Sequence, residues 1–149
     1  MRIVLQRVSK ASVSIAGNLY SEINYGFLVL IGICDDDSYD DIEWFTQKII
    51  NLRVFGDELG KMNRSIQDIN GEILIVSQFT LFASVKKGNR PSFVASARPE
   101  IAIPMYEKFI DQLKKYDIKI QTGVFGANMQ IELVNDGPVT IIIDSKNKE

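Results

Sequence analysis

The chain has 149 residues, 46% of them hydrophobic and 24% charged, with a formal net charge of −2 and no histidine. A chain of that size folds as one domain around its own core without disulfides or metal, and its mild acidity argues against strong, non-specific nucleic-acid binding. The missing histidine excludes every Ser–His and Cys–His mechanism, so acid–base chemistry near neutral pH needs a perturbed Asp, Glu or Lys, or a group brought by the substrate.

Residues 1–7 mix charge into a short apolar stretch, unlike a signal peptide, and no run approaches the roughly 20 apolar residues of a membrane span. A cytoplasmic location is expected. Residues 2–8 read as a strand, and Ala11-Ser12-Val13-Ser14-Ile15 alternates strictly as a second. Gly17-Asn18 signals a turn, with residues 19–24 returning as the hairpin partner. Gly26 opens Phe27–Ile33, a central strand, and the lone Cys34 at its end is expected as a small core residue. Asp35-Asp36-Asp37 lacks the alternation of a calcium loop and introduces a helix instead, with Ser38 as N-cap and Asp41 completing a capping box. With one cysteine and no histidine, no metal site is expected. Ile42, Phe45, Ile49 and Leu52 form the buried face of that helix, Gly56 marks its end, and residues 56–70 are assigned to loop.

Ile73-Leu74-Ile75-Val76 has the pattern of a strand buried on both faces. Ser77, Gln78 and Thr80 then interrupt it; if the backbone stays extended, Gln78 and Thr80 share one face while Ser77, Phe79 and Leu81 share the other. A buried hydroxyl or amide without a partner costs roughly 1–3 kcal/mol, so the cluster needs internal partners or a ligand. Directly after it, Lys86-Lys87-Gly88-Asn89-Arg90-Pro91 forms a cationic turn, the arrangement that presents a phosphate-bearing substrate.

Pro99 and Pro104 bracket the start of a second helix, with Tyr106, Phe109, Ile110 and Leu113 as its buried stripe and Lys114-Lys115 at its C-terminal end. Pro104 either lies in the first turn or kinks the helix. Residues 117–121 and 129–134 read as strands, and the glycines of the intervening Thr122-Gly123-Val124-Phe125-Gly126-Ala127 suggest a bend or a close approach. Asn135-Asp136-Gly137-Pro138-Val139-Thr140 reads as a hairpin turn between Met129–Val134 and Val139–Ile143. The order βββ(β)αββαββ predicts a single α+β domain, with a mixed or antiparallel sheet curled toward a β-barrel and two covering helices.

Several of these segments together resemble the D-aminoacyl-tRNA deacylases, from end to end. They are Gln6-Arg7-Val8, Leu52-Arg53-Val54-Phe55, Gly60-Lys61-Met62-Asn63, Ser77-Gln78-Phe79-Thr80-Leu81, Lys87-Gly88-Asn89-Arg90-Pro91-Ser92-Phe93, Thr122 through Met129, and Asn135 through Thr140. The resemblance implies an enzyme that hydrolyses the ester joining a D-amino acid to the 3′-terminal adenosine of tRNA, without a cofactor. It further implies a homodimer in which each subunit inserts its Gly137–Pro138 turn, cis at the peptide bond, into the partner's site as a chirality gate. Ser77, Gln78, Phe79 and Thr80 would line that pocket. The backbone N–H groups near Phe79 and Thr80 would stabilise the oxyanion, and the ribose 2′-hydroxyl would shuttle the proton; Thr80 as nucleophile is the alternative. By the same analogy Arg7 holds the inserted turn and Met129 lines the adenosine side; the cationic turn with Lys86, Lys87 and Arg90 is the candidate for acceptor-stem phosphates, a solvated turn being the alternative. An achiral substrate has nothing to clash, so some hydrolysis of glycyl-tRNA is expected. Two rivals remain: a non-catalytic RNA-binding module, which would bind tRNA without turnover, and a general Thr/Ser esterase, which acylating inhibitors would block.

Overall fold

The protein is described over residues 1–148 from a computed structural model. Its strands are β1 (Arg2–Ile15), β2 (Asn18–Ile23), β3 (Gly26–Gly32), the short pair β4 (Phe55–Gly56) and β5 (Met62–Arg64), β6 (Glu72–Ser77), β7 (Lys119–Thr122) and β8 (Met129–Asp144). Helix α1 (Tyr39–Asn51) follows β3, and α2 (Pro99–Leu113) precedes β7. The main sheet runs β2-β1-β3-β6-β7, with β8 also paired to β1. β3–β6 and β6–β7 are parallel, and the β1 pairings are antiparallel. The sheet is therefore mixed and nearly barrel-shaped, with two helices, as expected.

Alternation divides β6 between two cores. Ile73 and Ile75 enter one core with Ile42, Phe45 and Ile49 of α1 and Phe109 and Leu113 of α2. Leu74 and Val76 enter a second core with Val8, Ala11 and Val13 of β1. β1 belongs to both, because Ile3 and Leu5 face the helices. β1 is one 14-residue strand rather than two, its first half packing in the helical core and its second half in the smaller one.

β8 departs from expectation in the same way. It is continuous through residues 135–140, which do not form a hairpin turn. β1 imposes this, since it pairs with β8 on both sides of the interruption: Gln6 opposes Thr140 and Val8 opposes Asn135. Asp136, Gly137, Pro138 and Val139 are thereby left facing Arg7 alone, as a bulge.

α1 begins as predicted, the Ser38 N–H donating to Asp41 Oδ2 at 2.8 Å. It stops at Asn51 rather than near Gly56, because Leu52 turns extended (φ −65°, ψ 121°). Phe55–Gly56 then pairs with Met62–Arg64, so the segment assigned to loop contains a small ladder, held by Arg53 Nε donating to the Asn63 carbonyl at 2.6 Å. Pro99 opens α2, and Pro104 lies inside the helix, beyond the first turn. Its exposed position leaves the carbonyl that it cannot serve on the solvent side. Cys34 is half-buried rather than a core residue. Burial pushes its thiol up, which disfavours the reactive thiolate. No helix is long and apolar enough to cross a membrane among the described residues.

The C-terminal residues latch onto the start of α1. Lys146 Nζ donates to Asp41 Oδ2 at 2.8 Å and to the Asp36 carbonyl at 2.7 Å, and lies 3.8 Å from Asp37. Burial alone would raise the Asp41 carboxyl, but hydrogen bonds from Lys146, Ser38 and Ser145 outweigh it and hold the group well below the usual carboxylate range. A carboxylate so depressed stabilises the fold above its ordinary value of 3.8, and the contribution is lost as pH falls through the folded value. Lys146→Met should therefore cost about 1 kcal/mol at neutral pH in urea unfolding. The gap between variant and wild type should close in strong acid.

Candidate functional site

A cavity of about 280 Å³ opens where β3 and β6 end. Ile31 and Ile33 form its floor, Ser77, Gln78 and Phe79 one wall, and Phe125 to Met129 the opposite wall; Ser96 and Ala97 close it beside α2. The site sits at the carboxyl ends of two parallel strands because the apolar run of β6 stops at Val76. Polar side chains can be carried only where the two cores end.

Here the backbone does something that the alternation does not anticipate. The Gln78 N–H still donates to the Ile31 carbonyl at 2.7 Å, extending the β3–β6 pairing by one bond. Residues Phe79–Phe82 then wind into a single 3₁₀ turn, so the extended arrangement of Ser77 to Leu81 does not hold. The turn is closed by Leu81 N–H to the Gln78 carbonyl at 3.2 Å and Ala83 N–H to the Thr80 carbonyl at 3.0 Å. Gln78 and Thr80 are brought together by this folding back, not by a shared strand face, and the Gln78 amide donates to the Thr80 hydroxyl. Thr80 does not line the cavity, whereas Ser77, Gln78 and Phe79 do. The N–H groups of Phe79 and Thr80 stand at the start of the turn, where a helix supplies no acceptor for them.

The opposite wall is set by Gly123 and Met129. A Cβ on Gly123 would lie 2.5 Å from Met129 Sδ, so glycine is required for the thioether to fold over the connection. The close approach suggested for this segment is thus to a residue of the same chain. Lys86, Lys87 and Arg90 lie on an exposed loop pinned at its base by Ser84 and Ser92, whose backbones exchange hydrogen bonds of 2.8 and 2.9 Å. Phe93 follows directly and meets the Phe79 ring edge-to-face, which places the loop beside the cavity mouth.

Gly137, Pro138 and Arg7 are elsewhere. The six steps of extended strand from Met129 to Asn135 span roughly 20 Å, so one chain does not bring the bulge to its own cavity. The Gly137–Pro138 peptide is cis, and both residues are exposed. Beneath them the Arg7 guanidinium is nearly buried. Its Nε donates to the Asp136 carbonyl at 3.1 Å and pairs with Asp136 Oδ2 at 3.0 Å, and Nη1 donates to the Val54 carbonyl. Tyr25 completes the group; burial first, then the Asp136 charge, raises its hydroxyl pKa, with Arg7 opposing.

Asn135 is the residue that sequence reasoning missed. Its Nδ2 donates to the Arg7 carbonyl across the strands and to the Val139 carbonyl at the far end of the bulge, both at 2.9 Å. One amide thus ties the two ends of the interruption to the neighbouring strand. Ser96, whose Oγ donates to the Phe79 carbonyl at 3.2 Å, was also missed. Neither role is legible in the sequence, because the acceptors are main-chain oxygens, which carry no residue identity, and those of Arg7 and Phe79 are remote in the chain.

The family described as D-Tyr-tRNA(Tyr) deacylase matches residues 4–144. The chain belongs to this deacylase family. A D-aminoacyl-tRNA deacylase of Cytophaga hutchinsonii is 61% identical over 147 residues, covering 98% of each chain, and one of Flavobacterium johnsoniae is 57% identical over the whole of both. Among solved structures, a c-Myc DNA unwinding element binding protein superposes with a TM-score of 0.92 at 46% identity, covering 97% of this chain and 99% of that one. A probable eukaryotic D-amino acid tRNA deacylase superposes with a TM-score of 0.83 at 16% identity, covering 95% and 97%, which shows the shared fold alone.

The Asn135 contacts can be tested in this deacylase by an isosteric change. Asn135→Asp keeps the shape but replaces a donor by a carboxylate facing two carbonyl oxygens. Two hydrogen bonds at about 1 kcal/mol each predict a loss of about 2 kcal/mol, read from the urea midpoint with unchanged circular dichroism below the transition.

Proposed function

We propose that this deacylase hydrolyses the ester of D-aminoacyl-tRNA as a homodimer, each cavity being completed by the Gly137–Pro138 bulge of a second copy. The observation that carries this reading is the separation of the two halves: a polar cavity at one end of β8 and an exposed bulge roughly 20 Å along the same strand. Support for a second copy comes from the strand itself. β8 is 16 residues long and, among the described residues, only one of its edges is paired. Val134 (46% exposed) and Ile142 (75%) stand open on it. An open edge of that length is a template for pairing with another chain.

In the completed site the bulge carbonyls accept hydrogen bonds from the substrate's α-ammonium. With the ammonium and the ester carbon both held, one side-chain direction is open, and the L enantiomer meets backbone. Water attacks the ester carbon, the Phe79 and Thr80 N–H groups receive the developing oxyanion, and the neighbouring 2′-hydroxyl of the terminal ribose passes the water's proton to the departing 3′-oxygen. The Thr80 hydroxyl is occupied by the Gln78 amide, and no histidine is present to activate it, which favours this route over a Thr80 nucleophile. Arg7 holds the bulge in shape, Met129 bounds the adenosine side, and Lys86, Lys87 and Arg90 meet phosphates of the acceptor stem.

Deacylation of matched D-tyrosyl-tRNA and L-tyrosyl-tRNA should consume the D ester alone, with glycyl-tRNA also hydrolysed. Gly137→Ala should lower the D rate at least tenfold: Gly137 has φ +123°, and a Cβ there would lie 2.7 Å from Arg7 Nη2. Equal rates for both enantiomers in wild type would sink the gate.

A second measurement separates the mechanisms. Thr80→Ala should keep at least about a tenth of the wild-type rate, while a 2′-deoxy substrate should slow by about 10²-fold or more, the usual worth of a positioned acid–base group. Abolished turnover in a folded Thr80→Ala protein would restore the nucleophile.

A further inference from the structure

We propose that Phe79 and Phe93 form a stacking site for the nucleobase that precedes the terminal adenosine, on the unpaired 3′ tail of the tRNA. The proposal rests on the deacylase reading above and names a part of the substrate that the cavity itself cannot hold. A space of about 280 Å³ takes the aminoacyl ester and part of its nucleoside, and the rest of the strand must leave across the rim.

Three observations place that exit. The first is the pair of rings. Phe79 is 55% exposed and Phe93 37%, with centroids 5.1 Å apart and planes at 72°. An edge-to-face pair covers at most one face of one ring with the edge of the other, so aromatic surface stays open at the mouth of a polar cavity. The second is their attachment. The Phe93 carbonyl accepts the Ser96 N–H at 3.0 Å, and Ser96 Oγ donates to the Phe79 carbonyl at 3.2 Å. Ser96 itself lines the cavity, so the rings are fixed to the wall rather than carried on a free loop.

The third is charge. From Ile73 to Pro99 there is no Asp or Glu, while Lys86, Lys87, Arg90 and Arg98 all fall within the stretch. All four are exposed, and among the described residues none forms an ion pair. In a chain of net charge −2 this is a strongly cationic segment, and both rings belong to it. Open aromatic faces among unpaired cations are the chemistry that binds single-stranded nucleic acid: bases stack, and phosphates find counter-charges. A D-amino-acid side chain would need the rings but not the cations.

The test compares D-tyrosyl-tRNA with D-tyrosyl-adenosine, an ester that lacks every preceding nucleotide. Base–aromatic stacking is worth about 1–3 kcal/mol. Phe93→Leu should therefore raise KM for D-tyrosyl-tRNA by about tenfold with kcat little changed, leave KM for D-tyrosyl-adenosine unchanged, and be rescued by Phe93→Tyr. Wild-type protein given tRNA abasic at the penultimate position should show the same rise in KM, which checks the site without any change to the fold. Equal effects of Phe93→Leu on both esters would overturn the proposal by placing the ring against the amino acid or in the scaffold. No effect on either ester, or an abasic tRNA handled like the intact one, would also overturn it. Wild-type protein inert toward both esters would remove the deacylase reading, and the stacking site with it.

Discussion

The organisation of this molecule follows from the burial of β6 on both faces. Ile73 and Ile75 are committed to the helical core, and Leu74 and Val76 to the smaller one. No polar group can be carried within such a strand without an internal partner. Polar side chains collect at its carboxyl end instead, and there the 3₁₀ turn sets two main-chain N–H groups side by side. The cavity is a consequence of where hydrophobic burial ends. Tyr106 ties the helical side to the same strand, its buried hydroxyl donating to the Ile75 carbonyl at 3.0 Å.

At the other pole the determining contacts are ionic and main-chain. Arg7, Asp136, Val54 and Asn135 hold a four-residue excursion of β8 in a defined shape, with a guanidinium and an amide serving as cross-ties between main-chain oxygens. The carbonyl of Val54 comes from the connection between α1 and β4, so the small β4–β5 ladder also supports the bulge. The cavity and the bulge therefore depend on different physics, one on apolar packing and the other on buried polar contacts.

These two kinds of interaction were not equally legible in the sequence. Unbroken apolar runs located β3 and β6, and periodicity the buried faces of both helices. Burial on two faces fills successive strand positions, while burial on one face marks every third and fourth helical residue. Composition misled at Asn135–Thr140, where four turn-forming residues are overruled by the ladder with β1. It misled again at Gly56, since nothing local announces that Leu52 leaves the helix. The polar cluster was recognised, but its geometry was not: Ser77, Gln78 and Thr80 suit an extended strand as well as a 3₁₀ turn. Asn135 was hidden in plain view, its partners lying on carbonyls that carry no sequence information.

The bulge also imposes a rule of parity. Four steps along β1, from Gln6 to Lys10, are matched by six along β8, from Thr140 to Val134. The excess is even, and so Met129, Ile131 and Leu133 before the bulge, and Val139, Ile141 and Ile143 after it, all keep their odd-numbered side chains turned inward. A one-residue insertion or deletion between Asn135 and Thr140 would invert the second half of the strand and expose three aliphatic side chains to water. The length of this motif is thus held by the core, and the register tolerates changes of two residues but not of one.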